Sequence, residues 1–143
     1  MTERSAAGYE YFDMEADVGV QAWGPTPADA FAQAALGVLA LTIAPADVLD
    51  RERREVRAQG DSMEGLLVSW VNECLYVHEI EGFAVRRVEV TTLERDLVHG
   101  VLHGEEIDTA RHRPGTVVKA ATAHKVEVRS APEGVRVRLV VDV

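Results

Sequence analysis

The chain lacks the residues on which several classes of protein depend. It has 143 residues and a single cysteine, Cys74, so it has no disulfide framework and no set of thiolates for a metal cage. No apolar run approaches the roughly 18–20 residues that span a bilayer, and residues 1–10 are polar and small rather than a basic and apolar leader. We therefore expect a cytoplasmic protein with no membrane partner.

Basic side chains are also scarce. Lys and Arg number 15 against 24 Asp and Glu, which gives a formal net charge of -9. Proteins that bind nucleic acid without regard to its sequence rely on Lys and Arg to neutralise phosphates, so we expect no direct stable nucleic-acid binding. The acidic balance favours a divalent cation or a basic protein partner, although solubility alone also accounts for it.

Motifs for catalysis are missing as well. The sequence has no glycine-rich phosphate loop, and Ser62 and Ser69 lie outside any nucleophile-elbow motif. His78 and Glu79 begin the run HEIEG, but a zinc-binding helix needs a second histidine four positions after the first. The sequence therefore indicates a protein that is not an enzyme.

Two stretches of helical periodicity are present, and the first has the clearer start. Thr26 can cap the helix, Pro27 suits the first helical position, and Asp29 lies three residues past the cap. Pro45 ends this helix because it lacks a backbone donor and crowds the preceding turn.

The second helix is predicted to open with a capping box formed by Asp61 and Glu64, three residues apart. Gly82 is well placed to end it in a left-handed conformation. Trp70 lies on the apolar side of this helix, and we expect it to be fully buried.

The rest of the chain is mostly strand. Alternation or β-branched enrichment predicts strands at residues 9–12, 18–23, 54–59, 85–92, 97–104, 116–123, 125–130 and 135–141. Residues 131–134 form a turn that joins the last two strands, and residues 105–114 form one longer polar loop. We predict an α+β fold, a single compact domain over residues 1–143 with two helices packed on largely antiparallel or mixed β-sheet.

Three carboxylates, those of Asp13, Glu15 and Asp17, fall within five residues of sequence. At strand period they point to one face. That much like charge is costly unless it is solvated, turned away by a bend or shared with a cation. Acidic residues between strands are more commonly solvated loop formers, and the local pattern leaves both interpretations open.

The end of the sequence carries a further acidic pair. Asp142 and the terminal carboxylate of Val143 follow directly on a strong predicted strand, which suggests that this end is held in the fold. If the last strand lies beside Asp17, three carboxylates meet, and such a cluster suits calcium or magnesium with water in the remaining positions. The spacing matches no EF-hand loop, so the pattern by itself is weak support for a metal site.

Lys119 is a lone cation in the predicted strand at residues 116–123. It is typical of an exposed lysine on an edge strand, which discourages aggregation. Alternatively, it pairs with the acidic cluster or with a carboxylate of a partner. The histidines offer no complete set of zinc ligands, and we expect them to be hydrogen-bonded or on the surface.

Four segments taken together resemble the archease family. They are residues 13–19 (DMEADVG), residues 104–108 (GEEID) with Arg111 and His112, residues 118–124 (VKAATAH), and the ending Asp142-Val143. The resemblance covers essentially the whole chain. It departs from the family pattern at Met14 and Glu15, which stand where the family has His and Thr, and at Ala123, where the family has an aromatic residue.

The resemblance implies that the protein assists another enzyme. Archease-like proteins activate the GTP-dependent tRNA-splicing RNA ligase (RtcB-type) by promoting its guanylylation and its repeated turnover. The family binds a divalent metal, commonly calcium, at positions that match Asp17, Asp142 and the Val143 carboxylate, with magnesium or manganese as alternatives. Residues expected beside this site or against the partner are Asp13, Glu15, Lys119 and His124.

Two other classes of function are compatible with the sequence. A stand-alone metal-dependent hydrolase or phosphotransfer enzyme needs a base near the metal, and His124 is the candidate. A general protein chaperone needs an exposed apolar patch.

Overall fold

The computed structural model describes residues 5–143, so residues 1–4 of the predicted domain lie outside the described part of the chain. In the described part there are two α-helices, one short 3₁₀ helix and seven strands. The elements in chain order are β1 Gly8–Met14, β2 Asp17–Gly24, α1 Pro27–Thr42, the 3₁₀ helix Pro45–Asp47, β3 Glu52–Gln59, α2 Met63–Ile80, β4 Phe83–Leu93, β5 Leu97–Glu106, β6 Ala120–Ala131 and β7 Gly134–Asp142.

The strands form two sheets. Sheet A has the order β1-β2-β7-β6, and sheet B has the order β3-β5-β4. Every strand pairing in both sheets is antiparallel. The predicted α+β class, with two helices on largely antiparallel β-sheet, is confirmed, and the strands form two sheets because β7 pairs with β2 and β6 rather than with the strands of sheet B.

Helix α1 begins as its sequence predicts. The side chain of Thr26 accepts a hydrogen bond from the Asp29 amide, and Pro27 occupies the first helical position. The helix ends at Thr42, three residues before Pro45, and Ile43 is extended. The predicted start of α1 is confirmed. A capping hydroxyl, the fixed φ of proline and an acidic residue in the first turn all favour this boundary.

The N-cap of helix α2 lies one residue after the predicted N-cap. Ser62, and not Asp61, is the N-cap, and its hydroxyl accepts from the Gly65 amide at 3.0 Å. Both residue types cap helices well, so the sequence could not choose between neighbours. Gly82 has φ +66°, the left-handed conformation predicted for it. Among residues 5–143, no helix is long and apolar enough to cross a membrane.

Strand β6 corrects the prediction of two separate strands at residues 116–123 and 125–130. It is one strand whose register with β7 shifts between Thr122 and Glu127, where Lys125 has φ +55°. Residues 116–119 lie outside the strand. The start of this segment lies beside the end of α1 instead, because the amides of Gly115 and Thr116 donate hydrogen bonds to the carbonyls of Thr42 and Leu41.

Both helices pack against strands of both sheets, which joins the two sheets into one core. Trp70 is fully buried, as predicted, and its indole Nε1 donates to the Phe31 carbonyl of α1 at 3.0 Å. Gly100 of β5 makes room for the indole, since a Cβ there would lie 2.4 Å from the ring. Truncating such a side chain to Ala typically costs about 3–5 kcal/mol.

Candidate functional site

The acidic stretch near the start of the chain is a tight hairpin turn. Met14 pairs with Asp17, so Glu15 and Ala16 alone connect β1 to β2, and Ala16 has φ 63°, the positive value that a type II turn has at its second central residue. Asp13 pairs with Val18. Paired residues share a face and successive residues alternate, so Asp13 and Asp17 lie on opposite faces, and the predicted common face is wrong.

The strand order of sheet A brings the two ends of the sequence together. Asp142 of β7 is the direct register partner of Asp17 in β2. On its other side Asp142 pairs with Ala120 of β6, so it lies in the interior of the sheet rather than at an edge. Both aspartates are partly buried, and Val143, 38% exposed, follows directly.

The two facing carboxylates have no cation of their own in the described part of the chain. Within residues 5–143, neither Asp17 nor Asp142 makes an ion pair or a side-chain hydrogen bond. Like charges directly opposite each other on neighbouring strands are destabilising. The oxygens present are of the kind that a hard divalent cation takes as ligands, so the residues fit such an ion.

The other predicted acidic residues do not join this pair as a larger set. In residues 5–143, no three side chains of His, Cys, Asp or Glu are grouped to hold a metal ion. Glu15 is exposed in the turn, and Asp13 faces away from Asp17. Among the described side chains, Asp17 and Asp142 are therefore a pair of carboxylates rather than part of a larger acidic set.

Lys119 lies at the same end of sheet A, and His124 lies farther along. The Lys119 amide donates to the Asp142 carbonyl at 2.8 Å, while the Lys119 side chain is exposed and has no ion pair within residues 5–143. His124 is exposed in the bulge of β6, where residues 123–126 oppose only Leu139. The structure thus places the Lys119 backbone, and not His124, beside Asp142, and the Lys119 side chain does not pair with either aspartate.

Met14 is the register partner of Asp17 and shares its face. This is the position at which the archease pattern has a histidine. A thioether is a weak acceptor and a poor ligand for hard cations, so in this chain the neighbour of Asp17 supplies no ring nitrogen.

A second carboxylate centre was missed at residues 105–114, which were predicted to be a polar loop. Glu105 belongs to β5 and is 4% exposed. Its carboxylate accepts from the Leu49 amide at 2.6 Å, from Arg111 Nη2 at 2.5 Å and from His112 Nε2 at 3.1 Å. His112 Nδ1 accepts from the Asp108 amide, which assigns the ring proton to Nε2.

These contacts hold the pKa of Glu105 at about 2, below its ordinary 4.5. The largest cause is the hydrogen bond from Arg111; burial acts in the opposite direction, and the Leu49 amide and His112 lower the pKa further. Only the Glu-Glu-Ile-Asp and Arg-His segments of the archease resemblance pointed here, because a single buried Glu leaves no periodic signal.

The comparisons of this chain with known proteins all lead to one family. The model of the archease protein family (MTH1598/TM1083) matches residues 9–143. The protein archease of Pyrobaculum neutrophilum is 36% identical over 147 residues, which covers 100% of both chains.

Solved structures agree with this match. Protein 1598 of Methanobacterium thermoautotrophicum, solved in solution, is 28% identical with a TM-score of 0.78 and covers 95% of this chain and 99% of its own. A Thermotoga maritima archease, described as a possible chaperone, is 19% identical with a TM-score of 0.63 and covers 92% and 94% of the two chains. At that identity the second structure shares the fold alone.

Proposed function

The chain belongs to the archease family, and we propose that it is a non-catalytic activator of the GTP-dependent tRNA-splicing RNA ligase of the RtcB type. That ligase joins an RNA end bearing a 2′,3′-cyclic phosphate or 3′-phosphate to a 5′-hydroxyl through a guanylylated histidine. The activator promotes guanylylation and repeated turnover, and the chemistry stays on the ligase.

The observation that carries this proposal is the pairing of Asp17 with Asp142 without a cation from the described chain. Asp17, Asp142 and the carboxylate of a chain that ends at Val143 would hold one divalent cation, with calcium as the first candidate and magnesium or manganese as alternatives. When bound, the cation supplies positive charge to which nucleotide phosphate oxygens are attracted.

The residues of this chain would position the cation and contact the ligase. Strands β2 and β7 hold both aspartates on a paired backbone, so their carboxylates are presented together rather than on loops. Lys119 adds a cation beside them, tied to Asp142 through its amide. The net charge of -9 favours contact with a basic, RNA-handling protein over contact with RNA itself.

A guanylylation assay of the ligase tests the proposal. We expect the unaltered chain to raise both the rate of guanylylation and the number of turnovers, and Asp17→Asn to reduce the stimulation to the level of ligase alone. Glu133→Gln, an exposed acidic residue in the turn at the other end of β7, is the matched control and should stimulate fully. An unaltered chain that leaves the ligase unchanged would contradict the proposal.

Two further assays separate the other classes of function. Turnover of nucleotide or RNA by the chain alone would favour a hydrolase or phosphotransfer enzyme. Suppression of aggregation of unrelated proteins, without any effect on the ligase, would favour a general chaperone.

A further inference from the structure

A cavity of about 480 Å³ is lined by neither of the paired aspartates. Its walls come from the last residues of α1, from the second half of α2 and from residues 107–118. Its apolar lining includes Ile43, Leu75 and Val117, and its polar lining includes His78 and Glu79. A cavity of this size and mixed lining is large enough for a bulky side chain or a small ligand.

The wall formed by residues 107–118 is fixed from both sides. On one side, the Gly115 amide donates to the Thr42 carbonyl at 2.7 Å. A Cβ at Gly115 would lie 2.4 Å from the Leu41 carbonyl oxygen, so the segment lies directly against α1. On the other side, the buried pair of Glu105 and His112 anchors the loop. The cavity is therefore preformed, and an occupant would not have to order its wall.

Two polar groups determine which occupant suits the cavity. His78 Nδ1 lies 2.9 Å from the Phe83 carbonyl, so Nδ1 carries the proton and a neutral ring leaves Nε2 as an acceptor. Glu79 is exposed and makes no ion pair in the described part of the chain. The lining thus accepts an N–H or O–H donor and attracts a cation at its edge.

Exposed apolar side chains adjoin the cavity. Val117, in its wall, is 76% exposed. On α2, Tyr76 lies three residues before the cavity residue Glu79 and four before Ile80, so the three share a helix face, and Tyr76 and Ile80 are 56% and 63% exposed. Apolar surface that continues beyond a pocket is typical of protein interfaces, where an aromatic anchor fills the pocket.

We propose that this cavity, which we call the α1–α2 cavity, binds a segment of the activated ligase with a Trp or Tyr anchor next to a Lys or Arg. The anchor fills the apolar lining and donates to His78, and the basic residue pairs with Glu79. This inference rests on the proposed function. Val118 lines the cavity and is followed by Lys119, whose amide binds Asp142, so one partner surface can contact both places.

The test measures binding of the ligase to the chain with substitutions at exposed cavity residues. Val117→Asp and Glu79→Lys should each weaken binding by roughly tenfold or more. Ala131→Asp and Glu73→Lys are the matched controls, an exposed apolar residue at the end of β6 and an exposed glutamate of α2, both outside the cavity. Both controls should bind as the unaltered chain does. Calcium affinity should be unchanged in all four variants, and thermal unfolding checks that each one folds.

The outcomes distinguish this inference from the proposed function. If the unaltered chain binds and stimulates the ligase while Val117→Asp and Glu79→Lys bind equally well, the docking site is overturned and the proposed function stands. If the unaltered chain neither binds nor stimulates the ligase, both are overturned.

A peptide probe tests the chemistry of the anchor without the ligase. Acetyl-Lys-Trp-Lys-amide at millimolar concentration should shift the NMR signals of the Val117 and Leu75 methyl groups, and acetyl-Lys-Ala-Lys-amide should not. Equal shifts with both peptides, or none with either, would overturn the aromatic anchor.

Discussion

The molecule contains two carboxylate centres, of which one is neutralised by protein groups and the other, in the described part of the chain, is not. Glu105 is buried and receives hydrogen bonds from Arg111, His112 and the Leu49 amide, all within the chain. Asp17 and Asp142 face each other and have no such donors among residues 5–143. A complete internal set of partners stabilises the fold, whereas an incomplete one leaves a place for something from outside.

We therefore expect Glu105 to contribute to folding stability, and Asp17 and Asp142 to contribute to binding. Loss of Glu105 should reduce stability whatever the solution contains, because its partners are protein groups. Loss of Asp17 should matter chiefly when a divalent cation or the ligase is present. The predictions below test that division, beginning with the largest expected change in free energy.

Glu105→Gln should lower the free energy of unfolding by roughly 2–3 kcal/mol, somewhat less than the 3–5 kcal/mol typical of a broken buried pair, because water can reach Arg111. Its amide cannot accept from three donors as the carboxylate does. Urea unfolding measures the change, and Glu106→Gln, the exposed neighbour, is the matched control. Equal stability of the two variants would contradict the assigned importance of Glu105.

The loss caused by Glu105→Gln should depend on pH with a definite sign. The folded pKa of Glu105, about 2, lies below the ordinary 4.5, so the ionised carboxylate contributes its full stability above that ordinary value. The contribution is lost as the pH falls from 4.5 towards 2. The difference in unfolding free energy between the unaltered chain and Glu105→Gln should therefore be constant near neutral pH and shrink in acid.

Calcium should stabilise the chain through the paired aspartates. At a hundredfold excess over its dissociation constant, a ligand specific to the folded state adds about 2.7 kcal/mol, which is roughly 5–10 °C in Tm for a chain of this size. Thermal melts should show this shift in the unaltered chain and in Asp13→Asn, whose side chain is on the other face, but not in Asp17→Asn. A shift that persists in Asp17→Asn would place the ion elsewhere.

A residue appended after Val143 should weaken calcium binding by on the order of tenfold, about 1.4 kcal/mol. The extension converts the terminal carboxylate into an amide carbonyl, which has one oxygen and no charge. Calorimetry of the chain with and without one added glycine measures the difference. Equal affinity would remove Val143 from the ligand set.

The smallest effect concerns the chain without metal. Asp17→Asn should raise the free energy of unfolding by up to about 1 kcal/mol, because it removes one of two like charges directly opposite on neighbouring strands. Urea unfolding in the presence of a chelator measures this. A destabilised Asp17→Asn under those conditions would mean that Asp17 has a partner inside the protein after all.

The sequence predicted elements better than it predicted their partners. The Thr26-Pro27 start of α1 and the left-handed Gly82 were correct because capping and glycine conformations are decided within a few residues. Strand β6 was divided in two because a bulge with Lys125 at positive φ interrupts alternation in the way that a strand end does.

At the candidate site, too, the sequence predicted the strands but not which strands pair. Alternation could mark β2 and β7 as strands, but which strands pair is decided by the packing of the whole core, and only the family resemblance indicated that Asp17 and Asp142 meet. The opposite orientation of Asp13 follows from a two-residue turn whose register local periodicity does not reveal. Burial of Glu105 depends on Arg111 and His112 folding back onto it, which no strand or helix period encodes.

The place of β7 in sheet A has a consequence for how the chain is made. β7 lies between β2 and β6, although it is the last strand in chain order. During synthesis β2 therefore emerges early and displays an unpaired row of backbone donors and acceptors until β7 has also left the ribosome. Intermolecular strand pairing at that nascent edge, rather than unfolding of the finished domain, is where misassembly of this protein is expected to begin.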